Sequence, residues 1–78
     1  MKAEKGQLIT FANGEKYVVV ETIKEEQSTW HCLVSEDQRL TVFCSEQKNE
    51  DGSYEYSPIF DEEELKYLYI RFDEEINA

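Results

Sequence analysis

Glycine, proline and long apolar runs are scarce in this sequence. Its 78 residues include three glycines and one proline. Gly6, Gly14 and Gly52 are isolated from one another, which excludes a glycine-rich phosphate-binding loop. No stretch approaches the ~20 apolar residues that span a bilayer, and no apolar run resembling a signal peptide follows the first residues. We therefore expect a cytoplasmic protein that binds no membrane.

Basic residues are also few. Eight Lys and Arg stand against eighteen Asp and Glu, so the formal net charge is −10. Residues 50–78 hold ten of the acids and only two of the bases, Lys66 and Arg71. Nucleic acids bind through patches of Lys and Arg, and this chain has no such cluster. The charge predicts no direct nucleic-acid binding and favours a protein partner, in particular a basic one.

Cysteine occurs only at Cys32 and Cys44, for which a reducing compartment predicts free, buried thiols. Zinc needs four ligands, and the adjacent His31 and Cys32 point to opposite faces of a strand. The same geometry argues against a Cys–His nucleophile. The many carboxylates fall in turns and at a helix start, where water reaches them. The sequence predicts no enzyme, no metal and no cofactor.

Short β-branched and aromatic runs, separated by polar turns, predict five strands. These runs cover residues 7–11, 16–23, 28–34, 39–46 and 53–59. Asn13 and Gly14 between the first two runs predict a hairpin with a two-residue type I′ turn. Asp51 and Gly52 predict another tight corner, and Pro58 suits an edge strand or a strand end.

The pattern changes after Phe60. Asp61, followed three residues later by Glu64, predicts a helix N-cap, and apolar residues then recur at helical spacing: Leu65, Leu68, Tyr69 and Phe72. Residues 67–72 also alternate, so a sixth strand remains an alternative there. Residues 73–78 are expected to form a frayed tail. A single domain over residues 1–78 is predicted.

The predicted fold class is mainly β, or β-rich α+β. Its five or six antiparallel strands would form a meander that closes into a small SH3-like barrel or half-barrel, with a short C-terminal helix. A core this small contributes little net stability, so a homodimer is an alternative route to a stable fold.

Two groups of residues are candidates for an interaction site. Tyr54 and Tyr56 share one face of the edge strand, where they either dock a partner or pack on the barrel. The acids Asp61, Glu62, Glu63 and Glu64 form the second group. The leading hypothesis is a non-catalytic protein-interaction or regulatory domain with an acidic surface. The alternatives are a nucleic-acid mimic that inhibits a basic DNA-binding protein, and a small-ligand-binding β-barrel.

A set of apolar and turn positions spans residues 6–72: Gly6, Leu8 to Phe11, Asn13, Gly14, Tyr17 to Val19, Leu33, Val34, Val42 to Cys44, Glu46, Ile59, Asp61 and Glu63 to Leu65. This pattern resembles the short, acidic, uncharacterised proteins of Gram-positive bacteria that include the YrzB-like domains of unknown function. The resemblance implies a compact β-fold and a bacterial cytosolic setting. It implies no activity and no site residues.

Overall fold

Residues 5–77 are described by the computed structural model, and they form five β-strands followed by one α-helix. The elements are β1 (Leu8–Thr10), β2 (Lys16–Glu25), β3 (Ser28–Ser35), β4 (Thr41–Lys48), β5 (Tyr54–Pro58) and α1 (Glu62–Ile76). The strands pair antiparallel in chain order, β1-β2-β3-β4-β5, and curl into a half-barrel. The predicted mainly β meander with a C-terminal helix is confirmed.

The hairpin between β1 and β2 forms, but its turn is wider than predicted. Gly14 has a φ of +87°, whereas Asn13 is not among the residues with positive φ. The Gly14 N–H donates to the Phe11 carbonyl, so Gly14 takes the left-handed position after a type I turn. Asn13 Oδ1 accepts from the Glu15 N–H at 3.0 Å and stabilises this wider loop. The two-residue type I′ turn was therefore wrong.

The other long turns also contain a left-handed residue. Gly52 has a φ of +90° between β4 and β5, and Gln38 has a φ of +62° between β3 and β4. The Gln38 N–H donates to the Ser35 carbonyl, and the Ser35 N–H donates to the Leu40 carbonyl. Because these bonds keep Leu40 within the turn, β4 begins at Thr41 and not at residue 39 as predicted.

A β-bulge in β2 changes the face of the sheet on which the later side chains of this strand lie. The pairing of β2 with β3 shifts after Val19, which leaves Val20 as the extra residue. Val19 lies opposite Leu33 before the shift, and Ile23 lies opposite Trp30 after it. Side chains alternate along a strand, so the shift places Val19 and Ile23 on opposite faces although four residues separate them.

Each face carries its own apolar cluster. The face against α1, called the helix face below, packs Ile23, Cys32 and Phe43 of the sheet with Leu68 and Phe72 of the helix. The opposite face, called the far face, packs Ile9, Tyr17, Val19, Leu33 and Cys44. Leu33, Cys44 and Leu68 are fully buried. Full burial of a side chain the size of leucine contributes about 2 kcal/mol.

Helix α1 begins at the predicted cap. The Asp61 carboxylate accepts from the backbone N–H groups of Glu63 and Glu64, and the helix then continues to Ile76. The Phe72 ring stacks on Phe43 with centroids 5.2 Å apart. Residues 67–72 are therefore helical, and the helix continues through residues 73–76, where a frayed tail was expected. Within residues 5–77 no helix is long and apolar enough to cross a membrane.

Candidate functional site

The site residues predicted from the sequence lie on different faces of the sheet. Tyr54 and Tyr56 are half-buried on β5, and the Tyr56 ring packs against the His31 ring on the far face, with centroids 5.7 Å apart. The acids of residues 61–64 begin the helix on the other face. The structure does not combine the tyrosines and the acids into one surface.

The four acids at the helix start have different environments. Asp61 is the N-cap, whereas Glu62 and Glu63 are exposed. Glu64 is half-buried, and its Oε2 accepts a hydrogen bond from Trp30 Nε1 at 3.2 Å. Glu64 thus links the helix to β3, a contact between residues 34 positions apart that no local pattern in the sequence indicates.

Helix α1 carries an exposed stripe on its solvent side. Glu63, Tyr67, Ile70 and Glu74 are spaced by four, three and four residues, which aligns them on the side opposite the buried Leu68. The exposed fraction is 42% at Tyr67 and 61% at Ile70. We call these four residues the outer stripe. It places two apolar side chains between two carboxylates.

Exposed apolar residues are concentrated in this part of the molecule. Of the seven exposed large hydrophobic residues within the described chain, five lie in its last third: Phe60, Tyr67, Tyr69, Ile70 and Ile76. Residues 61–76 also hold seven acids against Lys66 and Arg71. This part of the chain therefore combines exposed apolar side chains with a high density of carboxylates.

The outer stripe is anchored to the sheet through Tyr67. Its hydroxyl donates to the Glu25 carboxylate, and its ring meets the Trp30 ring edge-on with centroids 6.0 Å apart. Arg71 Nε also donates to Glu25, at 3.3 Å. The hydrogen bond from Tyr67 is the main cause of the lowered pKa of Glu25, and the hydrogen bond from Arg71 lowers this pKa further. Tyr67 is thus held in one place while part of its ring faces water.

A depression adjoins this contact on the helix face. It encloses about 290 Å³ where the turn between β2 and β3, the end of β4 and the first turn of α1 meet. Trp30, Ser45, Gln47 and Glu64 are among the residues that line it.

The far face contains a buried polar network that the sequence did not reveal. His31 is fully buried; its Nδ1 lies 2.8 Å from Thr22 Oγ1 and its Nε2 lies 2.9 Å from Glu46 Oε1. The bulge at Val20 places Thr22 opposite His31, and a bulge has no reliable sequence signal. Within residues 5–77 no group of three or more His, Cys, Asp or Glu side chains is arranged to hold a metal.

The two thiols are buried on opposite faces, Cys32 in the helix-face cluster and Cys44 in the far-face cluster. Burial raises the pKa of Cys32 to about 11 and that of Cys44 to about 12. Both are free thiols. The prediction that they are buried is confirmed, and neither is activated as a nucleophile.

Comparisons with known proteins do not assign this chain to a family. No family model, curated protein or solved structure matches the chain. The resemblance to YrzB-like domains stays a prediction, and the class that the structure itself defines is a five-stranded antiparallel half-barrel with a C-terminal helix.

Proposed function

We propose that this chain is a non-catalytic protein-interaction or regulatory domain of the cytoplasm that binds a basic protein segment. The docking surface is the outer stripe of α1. The observation that carries the proposal is the exposure of Tyr67 and Ile70 between the carboxylates of Glu63 and Glu74. A partner with an apolar patch flanked by Lys or Arg would cover the apolar side chains and neutralise the acids.

The charge of the helix favours a basic partner over a second copy of the chain. Residues 61–76 carry seven acids and two bases. Arg71 is already surrounded by carboxylates, at 3.3 Å from Glu25 and at 3.7 Å from both Glu74 and Glu75. Two such helices brought together would place like charges side by side, which opposes self-association through this surface.

The geometry also favours the helix over strand β5 as the docking surface. Tyr56 is half-buried and packs on His31, so it serves the far face of the sheet. Ile70 is 61% exposed and lies on the side of α1 that faces away from the sheet. Removing Ile70 from water on binding would therefore gain more apolar burial than removing Tyr56.

The burial of the histidine and of both cysteines supports a non-catalytic role. His31 is fully buried between Thr22 and Glu46, and burial holds both thiols in the protonated form at neutral pH. The described chain thus offers neither an exposed imidazole nor an activated thiol as a nucleophile or base.

Comparative affinity capture tests the proposal. The tagged wild-type domain, Ile70→Glu and the control Leu40→Glu are incubated with lysate of the source organism at low and high salt, and bound proteins are quantified by mass spectrometry. Leu40 is also exposed, at 57%, but lies in the turn between β3 and β4. We expect a basic protein that wild type and Leu40→Glu retain at low salt and that Ile70→Glu loses.

Equal recovery of the same proteins by all three forms would contradict the outer stripe as the docking surface. A partner that high salt does not release would contradict the electrostatic part of the proposal. If the partner binds DNA, competition with a duplex separates nucleic-acid mimicry from ordinary docking, because a mimic occupies the cleft that the DNA needs.

A further inference from the structure

We propose that the depression beside Trp30 and Glu64 receives one cationic side chain, a lysine or an arginine, of the basic partner. This inference rests on the proposed function, because the partner supplies the cation. It adds a specific pocket to a docking surface that is otherwise an open stripe.

The size of the depression suits a single side chain. It encloses about 290 Å³, just below the roughly 300–1,000 Å³ of pockets that hold drug-sized ligands. The depression opens where α1 begins. The helix covers Ile23, Cys32 and Phe43, but it does not cover the start of β3 and the end of β4, which pair with each other next to Trp30.

Strand alternation decides which side chains face the depression. Trp30 pairs with Ser45, and both share the helix face with Ile23. Thr29 and Glu46 alternate with them, so their side chains point to the far face, where Glu46 bonds His31. Glu46 is therefore not a ligand, although it lies beside the depression. Glu64 is the carboxylate side chain that remains there.

Trp30 and Glu64 together provide the chemistry that a cation needs. An indole ring attracts ammonium and guanidinium groups, and a half-buried carboxylate pairs with them under reduced screening. The Trp30 Nε1–H donates a hydrogen bond to one carboxylate oxygen of Glu64, Oε2. The other oxygen, Oε1, can accept a hydrogen bond from a second donor. Within the described chain no ion pair joins Glu64 to a lysine or arginine. Ser45 and Gln47 add neutral hydrogen-bonding groups.

The depression is continuous with the outer stripe. The Trp30 ring contacts the Tyr67 ring, and Tyr67 belongs to the stripe. A partner that covers Tyr67 and Ile70 would thus have a basic side chain within reach of Glu64. The apolar patch and the cation would bind to neighbouring parts of one surface.

The chain reports on this pocket directly, because Trp30 is its single tryptophan. The indole N–H resonance and the fluorescence of Trp30 are followed while Nα-acetyl-arginine amide or Nα-acetyl-lysine amide is added. Nα-acetyl-citrulline amide, which has nearly the shape of the arginine probe without its charge, is the matched control. We expect a saturable change with both cations and none with citrulline.

Charge variants locate the response. Glu64→Gln keeps an oxygen that can accept from the Trp30 indole but removes the charge, and we expect about fivefold weaker binding of the arginine probe. Glu62→Gln removes the same charge two residues earlier, from an exposed position outside both the depression and the outer stripe, and should leave the affinity unchanged. An equal response to citrulline, a change that never saturates, or equal losses in the two variants would overturn the proposal.

Failure of this pocket can be told apart from failure of the proposed function. A captured partner that Ile70→Glu loses but that Glu64→Gln binds at wild-type affinity would refute the cation pocket alone. Capture that is identical for wild type and Ile70→Glu would refute the docking surface, and the titration with the amino-acid amides would still decide whether the pocket binds cations.

Discussion

His31 Nε2 lies 2.9 Å from Glu46 Oε1, and neither side chain is more than 4% exposed. Thr22 Oγ1 lies 2.8 Å from the other ring nitrogen. Both ring nitrogens of His31 therefore have a hydrogen-bonding partner, the Glu46 carboxylate on one side and the Thr22 hydroxyl on the other. Within the described residues no buried side-chain nitrogen or oxygen lacks a partner. This network allows a polar residue to occupy the centre of β3.

Glu46→Leu should destabilise the domain strongly. It removes the acceptor of a buried donor, and the expected loss in the free energy of unfolding is about 2–4 kcal/mol. Glu46→Gln keeps an acceptor and should cost less. Urea denaturation of both variants checks this order. The double variant His31→Leu/Glu46→Leu should recover part of the loss, and additive losses would show that the two side chains do not interact.

Both thiols should be inert in the native protein. Burial raises the pKa of Cys32 to about 11 and that of Cys44 to about 12, so almost no thiolate is present at mildly alkaline pH. Ellman's reagent should react with neither cysteine in the folded domain and with both in denaturant. Rapid reaction of one thiol under native conditions would contradict the burial of that cysteine.

Acid should destabilise the contact between α1 and β2. Hydrogen bonds from Tyr67 and then Arg71 hold the pKa of Glu25 below its ordinary value of 4.5. As the pH falls below 4.5, the Glu25 carboxylate is protonated in the unfolded chain before it is protonated in the folded one. The contribution of Glu25 to stability is therefore lost as the pH falls through the pKa of the folded state. In an NMR titration Tyr67→Phe should raise the pKa of Glu25. An unchanged pKa would contradict the hydrogen bond.

Gln38→Gly should stabilise the fold. Gln38 has a φ of +62°, a left-handed conformation that costs a residue with a Cβ about 1 kcal/mol and costs glycine little. We expect a gain of about 0.5–1 kcal/mol in urea denaturation. Gln27→Gly is the matched control, because Gln27 lies in a turn but has no positive φ, and it should destabilise the fold. A loss at both positions would contradict the turn geometry.

Local patterns in the sequence were sufficient to predict most of the fold. Apolar runs located the five strands, and Asp61 with Glu64 located the helix start, because these signals act within a few residues. The spacing of apolar side chains in residues 67–72 fits both a helix and a strand, so it did not decide between them. Burial of Leu68 and Phe72 against the sheet, a contact between distant residues, settles it as helix.

The candidate site was only partly predictable. The acids of residues 61–64 were found, but the link from Glu64 to Trp30 depends on how the helix lies on the sheet. The network of Thr22, His31 and Glu46 depends on the bulge at Val20, which changes the face on which Thr22 lies. Tyr54 and Tyr56 were correctly placed on one face of an edge strand, and that face is the one opposite the helix.

The most direct test of the account is a chemical-shift map of the domain with the basic protein recovered by capture. We predict that the largest changes fall on Glu63, Tyr67, Ile70 and Glu74 and on the indole N–H of Trp30, and that added salt reverses them. Changes centred on Tyr54 and Tyr56, with α1 unaffected, would contradict the helix as the docking surface and assign that role to the edge strand.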